Sequence, residues 1–504
     1  MMNILEYLER TEEKYSERMA VDDGTVRLTW KELAEMSRRA GSMIAQHIRS
    51  GDPVVILAEK SAVTLAAMLG AVYAGGFYVV VDPTLPASRI QSIFCQLQPE
   101  MVVTEMDIVP RLDQTGYKGK ISILHDVVQS TVNPELLKSR RSKSRESDLL
   151  YGIFTSGSTG NPKGITVSHK AVIDFIGHFV EIFELTETER IGNQAPFDFD
   201  VSVKDIFSCI MTGAALILIP RTMFSMPSRL LDYLCEKQVT VMIWAVSALT
   251  LVSALRGLNY RSPVHVKKIM FSGEIMPAKH LNRWRKALPF TEFVNLYGPT
   301  EITCNCTWYR IPEDFDETEK LPVGRPFPGR KVFLLDSDEL EITEPGNTGE
   351  ICVAGESLAE GYYRNRVETE KRFVEYMFAD GKKERCYRTG DLGYFDENGI
   401  LYFVGRKDFQ FKHMGHRIEP EEIELIMNRL SGVEKSCCMQ DKKKNRIVAF
   451  YTGSRSPADV REQMKENLPS YMIPHKILKI RNIPMNKNGK TDREYLKVQM
   501  EVLI

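Results

Sequence analysis

The chain has 504 residues, 43% of them hydrophobic and 26% charged, with a net charge of −1 at pH 7. That length exceeds what one hydrophobic core organises, so two or more domains are expected, and the near-neutral balance removes the electrostatic case for a nucleic-acid or membrane-surface partner. Nine cysteines without a Cys-x-x-Cys pair point to a reduced compartment; with no signal pattern and no apolar run near ~18 residues, a cytoplasmic enzyme is expected.

Val54-Val55-Ile56-Leu57 reads as a strand ahead of a helical stretch at 62–74, where Val63, Ala66, Ala67, Ala71 and Ala74 share a face. Gly70 falls on that face, which predicts close packing rather than a break. A strand at 77–81 follows. The stretch 138–148 is polar, basic and aperiodic, and reads as solvated loop. The strand rhythm returns at 215–219, 239–243, 269–271 and 293–296, which implies parallel sheets covered by helices. Strands at 331–336, 350–354 and 401–404 are joined by Gly/Pro/Asn turns and suggest an antiparallel or barrel-like unit. Past Gly405-Arg406-Lys407-Asp408, helices at 420–430 and near 459–467 flank strands at 435–439 and 446–451. The expected class is α/β. A large N-terminal domain, 1–407, has helix-covered parallel sheets plus a small β-barrel-like subdomain, and a small mobile α+β domain, 408–504, follows it.

Chemistry concentrates just past the apolar strands, where open α/β sheets place ligands. Residues 154–164 read Phe-Thr-Ser-Gly-Ser-Thr-Gly-Asn-Pro-Lys-Gly. Small residues let backbone N–H groups approach phosphate oxygens, hydroxyls donate further bonds, and Lys163 adds charge. No Walker A pattern fits it. In Asn295-Leu296-Tyr297-Gly298-Pro299-Thr300-Glu301, Tyr297 can stack on a base, Thr300 can touch a phosphate and Glu301 can hold Mg²⁺, though a Gly-Pro turn alone also explains the segment. In Tyr387-Arg388-Thr389-Gly390-Asp391 the carboxylate can take both ribose hydroxyls or serve as a turn residue. Near the C-terminus, Lys490 tips a Gly/Asn loop.

Taken together with Leu28–Leu33 (Leu-Thr-Trp-Lys-Glu-Leu), 193–200 (Asn-Gln-Ala-Pro-Phe-Asp-Phe-Asp), 349–355, 405–419 and 468–474, these motifs stand in one order along nearly the whole chain. The chain resembles the adenylate-forming superfamily, in particular the amino-acid adenylation domains of non-ribosomal peptide synthetases and the D-alanine–carrier protein ligases. The resemblance implies a two-step reaction. A carboxylate attacks the α-phosphorus of Mg·ATP to give an acyl-adenylate and pyrophosphate, and a pantetheine thiol then displaces AMP. It implies that Thr155, Ser156, Ser158, Thr159 and Lys163, with Gly157 and Gly160, hold the β- and γ-phosphates. Tyr297, with Asn295 and Gly298, would receive adenine; Thr300 would bind the α-phosphate, Glu301 the Mg²⁺, and Asp391 the ribose with Arg406 nearby. Lys490 would bridge the two reacting anions, Asp408 would be the hinge, and the Gly415 loop would line a pantetheine tunnel.

Asp200 aligns with the carboxylate that holds a substrate α-ammonium, the alternative being a cap on the helix near Val201. The resemblance extends the pocket to Val201, Lys204, Trp244, Met270, Ser272, Leu296, Cys304 and Asn305. Trp244 is expected to fill volume and favour a small side chain. Serine at 272, where the D-alanine ligases carry cysteine, departs from their pattern. Lys204 either meets a substrate carboxylate or reaches outward to Asp205, and the outward pose is the expected one. A small amino acid such as alanine or serine is the first expectation and an acidic one the second. The chain is expected to be a free-standing ligase for a separate carrier protein, using ATP and Mg²⁺. An acyl- or aryl-CoA synthetase, or an idle nucleotide-binding protein, is the alternative.

Overall fold

The computed structural model describes residues 3–157, 160–316, 318–485 and 491–503. Pro53–Leu57 lies parallel to Phe77–Val81 and Met101–Thr104 within a seven-stranded sheet. A nine-stranded sheet sets Arg190–Asn193, Val241–Ala245, Lys268–Ser272 and Glu292–Tyr297 side by side, also parallel. Their central strands are apolar throughout because both faces are covered. One core joins the sheets: Ile56 and Val103 of the first share it with Ile243 and Met270 of the second and with Phe175 and Phe207 of the intervening helices His169–Ile182 and Val201–Thr212.

Gly70 behaves as the sequence suggested. A Cβ there would lie 2.5 Å from the Ala40 Cβ, so glycine lets helix Ala62–Tyr73 cross helix Trp30–Ile44 closely. The 138–148 stretch departs from expectation. Helix Pro134–Arg141 runs into it, begun by the Asn133 side-chain cap and a proline in the first turn. Its single buried apolar residue, Leu137, gave too weak a period to read, and Arg140 fixes it by donating to the carbonyls of Ala45 (2.8 Å) and Ile48 (2.7 Å).

A five-stranded antiparallel sheet follows: Arg330–Leu335, Gly349–Gly355, Phe373–Met377, Lys383–Phe395 and Leu401–Arg406. Beyond it come the hairpin of Phe411–His413 and His416–Ile418, the helix Pro420–Asn428, and a three-stranded sheet of Val433–Asp441, Arg446–Gly453 and Lys476–Lys479. The apolar clusters around Ile423, Ile447, Phe450 and Leu496 draw only on residues from Phe411 onward, so this end of the chain builds its own core. Among the described residues no helix is long and apolar enough to cross a membrane.

Candidate functional site

The Gly/Ser/Thr segment is the tip of an antiparallel hairpin. Strands Leu149–Thr155 and Lys163–Ser168 pair with Thr155 opposite Lys163. Ser158 and Thr159 lie outside the described residues. Lys163 is buried and donates to Glu368 at 2.9 Å, with its ammonium 5.6 Å from the Tyr362 ring. Its charge is therefore already matched in this arrangement.

Thr300 and Glu301 open a short helical turn directly after strand Glu292–Tyr297. A Cβ on Gly298 would stand 2.6 Å from the Asn305 Cα and 2.8 Å from the Cys306 N, so only glycine lets this turn lie flat on the segment 304–306. Asn295 is structural here, donating to the Pro322 carbonyl at 2.7 Å. Tyr297 is half-buried and gives its hydroxyl to Asp391 at 2.6 Å, and Arg406 donates to the other Asp391 oxygen. Asp391 is set in place from below. Thr389 accepts its N–H (2.9 Å) and donates to the Ile351 carbonyl (2.7 Å), while buried Glu350 collects the Gly390 N–H, Arg388 and Lys407. Arg406 also forks onto Asp408 at 2.6 and 2.8 Å. Burial pushes the Asp408 carboxyl up, but Arg406 and Arg372 hold it below the usual aspartate range. The carboxylate expected to take the ribose and the expected hinge thus share one guanidinium.

Asp200 precedes helix Val201–Thr212, is buried, and makes no side-chain bond to the helix N-terminus, so capping does not account for it. Its carbonyl accepts from the Cys304 thiol at 3.2 Å. Lys204, one turn on, is 1% exposed and points inward, donating to Asn305 Oδ1 at 2.7 Å. The outward pose toward Asp205 is not adopted, because Asp205 is itself fully buried and accepts from Asn193 at 2.7 Å. Burial raises the Asp205 carboxyl above the usual aspartate range, against the pull of Asn193, Lys204 and Lys60. Lys60, pushed down to about 7 by burial, donates to the carbonyls of Asn193 and Gln194 and so fixes the strand end below the pocket.

Trp244 does not join this pocket. It pairs laterally with Phe271, belongs to the core around Leu231 and Trp284 on the far side of the sheet, and donates to the Gly192 carbonyl at 2.7 Å. Strand alternation instead turns Ala245 and its lateral neighbour Ser272 to the side of Met270, Leu296 and Cys304. A small residue stands where bulk was expected, and the volume argument for a small substrate loses its basis.

The cleft between Asp200 and Asp391 receives the hairpin at 411–418. At its tip the Gly415 N–H donates to Glu274 at 2.7 Å, and an added Cβ would be 3.6 Å from the Ala245 Cβ and 3.7 Å from the Ser247 Oγ. Lys412 is half-buried; burial lowers its pKa while Asp200 and Asp391 pull it back up. Arg417 clamps Glu301 at 2.8 and 2.9 Å, and the Tyr362 hydroxyl donates to the same carboxylate at 2.8 Å. Burial raises the Glu301 carboxyl, yet Arg417 and Tyr362 hold it below the usual glutamate range. No described cluster of three His, Cys, Asp or Glu side chains could cage a metal. A lone Glu301 suits Mg²⁺ that takes most of its ligands from phosphate and water, but here Arg417 already holds that carboxylate. In this arrangement both Glu301 and Lys163 are engaged by protein partners, Arg417 and Glu368.

The AMP-binding enzyme pattern matches residues 8–363, more than two thirds of the chain. The chain belongs to the AMP-binding enzyme family. It is therefore an adenylate-forming ligase that uses ATP. Among similar proteins, tyrocidine synthase 1 of Brevibacillus parabrevis is 29% identical over 98% of this chain, which spans 45% of that protein. A D-alanine--D-alanyl carrier protein ligase of Listeria monocytogenes is 28% identical over 99% of both. The Vibrio cholerae adenylation domain AlmE, solved with glycyl-adenosine-5'-phosphate, superposes with a TM-score of 0.86 at 22% identity, covering 100% of this chain and 98% of that one. The matched stretch contains both large sheets, while the hairpin at 411–418 lies beyond it. Lys490 lies outside the described residues. Sequence reading missed Tyr362, Glu274, Lys412 and Arg417; the last two stand in the 405–419 motif, where a basic residue flanking the Gly415 turn was the available signal.

His416 in the same hairpin stacks on Tyr471 at 3.7 Å and faces Phe199 at 5.7 Å. Burial pushes its imidazole from 6.5 down to about 4, with Arg221 and His413 pushing the same way and Asp82 opposing. The seated form then binds fewer protons than the unseated one. Its contribution is whole above pH 6.5 and declines as pH falls toward 4. The expected slope is at most about 1.4 kcal/mol per pH unit in that window. Thermal unfolding from pH 7.5 to 4.5 should show a difference between the native chain and His416→Phe that grows on acidification; parallel curves would refute it.

Proposed function

We propose that this ligase activates an α-amino acid as its aminoacyl-adenylate and passes the acyl group to the pantetheine thiol of a carrier protein. The observation that carries the reading is Asp200, a buried carboxylate that caps nothing and sits at the Cys304–Asn305 wall of the cleft. A buried carboxylate needs a counter-charge: in this arrangement the hairpin brings Lys412 toward it, and with the hairpin withdrawn a substrate ammonium would supply one. Asp391 and Tyr297 would take ribose and adenine. Thr155, Ser156, Gly157, Gly160 and Lys163, with Ser158 and Thr159, would take the departing phosphates. Thr300 would hold the α-phosphate and Glu301 the Mg²⁺, which offsets phosphate charge when bound. Asp408 would be the pivot about which residues 408–504 turn between the two steps. The relatives' printed names, a peptide synthase and a carrier protein ligase, support the carrier as acceptor.

Inside the pocket, Lys204 has a neutral partner, Asn305, and Ser272 adds a hydroxyl beside Met270. With Trp244 facing the other layer, the lining favours a short polar or acidic side chain whose acceptor meets Lys204. ATP–pyrophosphate exchange across the amino acids in both enantiomers tests this. An acidic substrate should lose about 10- to 150-fold in kcat/KM in Lys204→Met, the value of a charge-assisted bond, while a neutral one should change little. Exchange with fatty or aryl acids alone would overturn the amino-acid reading.

A further inference from the structure

Helix Pro420–Asn428 lies directly on the phosphate-loop hairpin. A Cβ on Gly160 would come within 2.2 Å of Leu425 Cδ2. Ser156 donates its hydroxyl to the Arg417 carbonyl at 2.5 Å and accepts the Glu419 N–H at 3.2 Å. The Gly157 N–H donates to one Glu422 oxygen at 3.1 Å, and the other Glu422 oxygen is paired with Arg89 on helix Ala87–Leu97. Glu422 is 1% exposed and Arg89 7%. Isolating such a carboxylate from water is unfavourable unless its lone pairs are met, and here a backbone N–H and a guanidinium meet them.

A backbone N–H in a tight loop of small residues is a donor built for an anion. In this arrangement the anion it receives is a side chain of the same protein. We propose that Glu422 is a positioning residue whose carboxylate occupies the place of a phosphate oxygen on Gly157, so that seating of the 411–428 segment and occupancy of the loop by pyrophosphate exclude one another. Ordering of the two half-reactions follows without any signal over distance. While pyrophosphate holds the loop, helix Pro420–Asn428 cannot dock; once it leaves, Glu422 and Arg89 close over the emptied donors. Gly157 is fixed in this role, since a Cβ there would lie 2.1 Å from the Asn161 carbonyl oxygen. The inference rests on the function proposed above for the loop and adds to it the identity of the competing anion.

The test uses the full chain and methylenediphosphonate, an analogue of pyrophosphate that cannot re-form ATP. Two readouts separate this inference from the reading beneath it. Small-angle scattering reports seating without any amino acid. The analogue should expand the native chain, and Glu422→Gln should be expanded already and insensitive to it. In single-turnover thioester formation from supplied aminoacyl-adenylate, the analogue should inhibit the native chain. Glu422→Gln should slow that step at least about tenfold while ATP–pyrophosphate exchange stays within about twofold, which also shows that the variant folds. Arg89→Gln should repeat the pattern. Scattering unchanged by both analogue and variant, or equal loss in the two half-reactions, would overturn the inference. Absence of exchange with every amino acid would instead remove the function reading and leave the scattering result to decide this one.

Discussion

Lys490→Ala is expected to lower amino-acid-dependent ATP–pyrophosphate exchange by at least about 10²-fold while sparing thioester formation from supplied aminoacyl-adenylate. Removing one group aimed at charge that develops in the transition state typically costs that much or more. The residue itself lies outside the described residues; Met485 and Thr491, which flank its Gly/Asn segment in the sequence, bridge to each other. In the arrangement described, a different lysine stands between Asp200 and Asp391. Lys412, carried there by the hairpin, feels the charge of both carboxylates. Lys412→Ala should therefore give the converse pattern, with exchange near the native rate and a slowed second step. Single-turnover measurements of each half-reaction in both variants decide the matter. Matching losses in the two steps for either lysine would mean that the side chain supports the fold or the nucleotide rather than one step.

Asp200→Ala is expected to reduce kcat/KM for the amino acid by about 10- to 150-fold, the range of a buried charge-assisted hydrogen bond of roughly 1.5–3 kcal/mol. The informative comparison is with the same acid lacking its amino group. If the carboxylate holds an ammonium, the native chain prefers the amino acid strongly and the variant loses the preference, treating both acids alike. A variant that weakens both substrates equally would place Asp200 in the packing of helix Val201–Thr212 instead. Asp200→Asn keeps the shape and the acceptor but not the charge, so an intermediate loss in that variant separates Coulomb attraction from hydrogen bonding.

Much of the architecture was legible because buried parallel strands are continuous apolar runs; Pro53–Leu57 and Phe77–Val81 are of that kind. The residues expected on the nucleotide side could be located for a related reason, since Tyr297 closes strand Glu292–Tyr297, Glu301 stands four residues on, and Asp391 lies within strand Lys383–Phe395. What escaped was facing and partnership. Trp244 was placed in the pocket by alignment, yet the two-residue strand period puts it with Phe271 on the opposite side. Lys204 was expected to snorkel, a habit of exposed helix faces, but every residue from Val201 to Ile210 is buried and no outward route exists. Glu301 with Arg417 and Glu422 with Arg89 join residues 116 and 333 positions apart, separations that carry no local periodicity to read.

Of the nine cysteines, all in the thiol form, Cys95 alone is exposed, and it lies six residues beyond Arg89 on helix Ala87–Leu97. The same helix reaches the far lobe through Ser88, whose hydroxyl donates to the Glu466 carbonyl at 3.2 Å. The native chain thus offers a single accessible attachment point for a maleimide fluorophore on the helix whose contact is proposed above to open and close. Its emission would follow each turnover in real time, with no engineered handle and no substitution in the catalytic machinery.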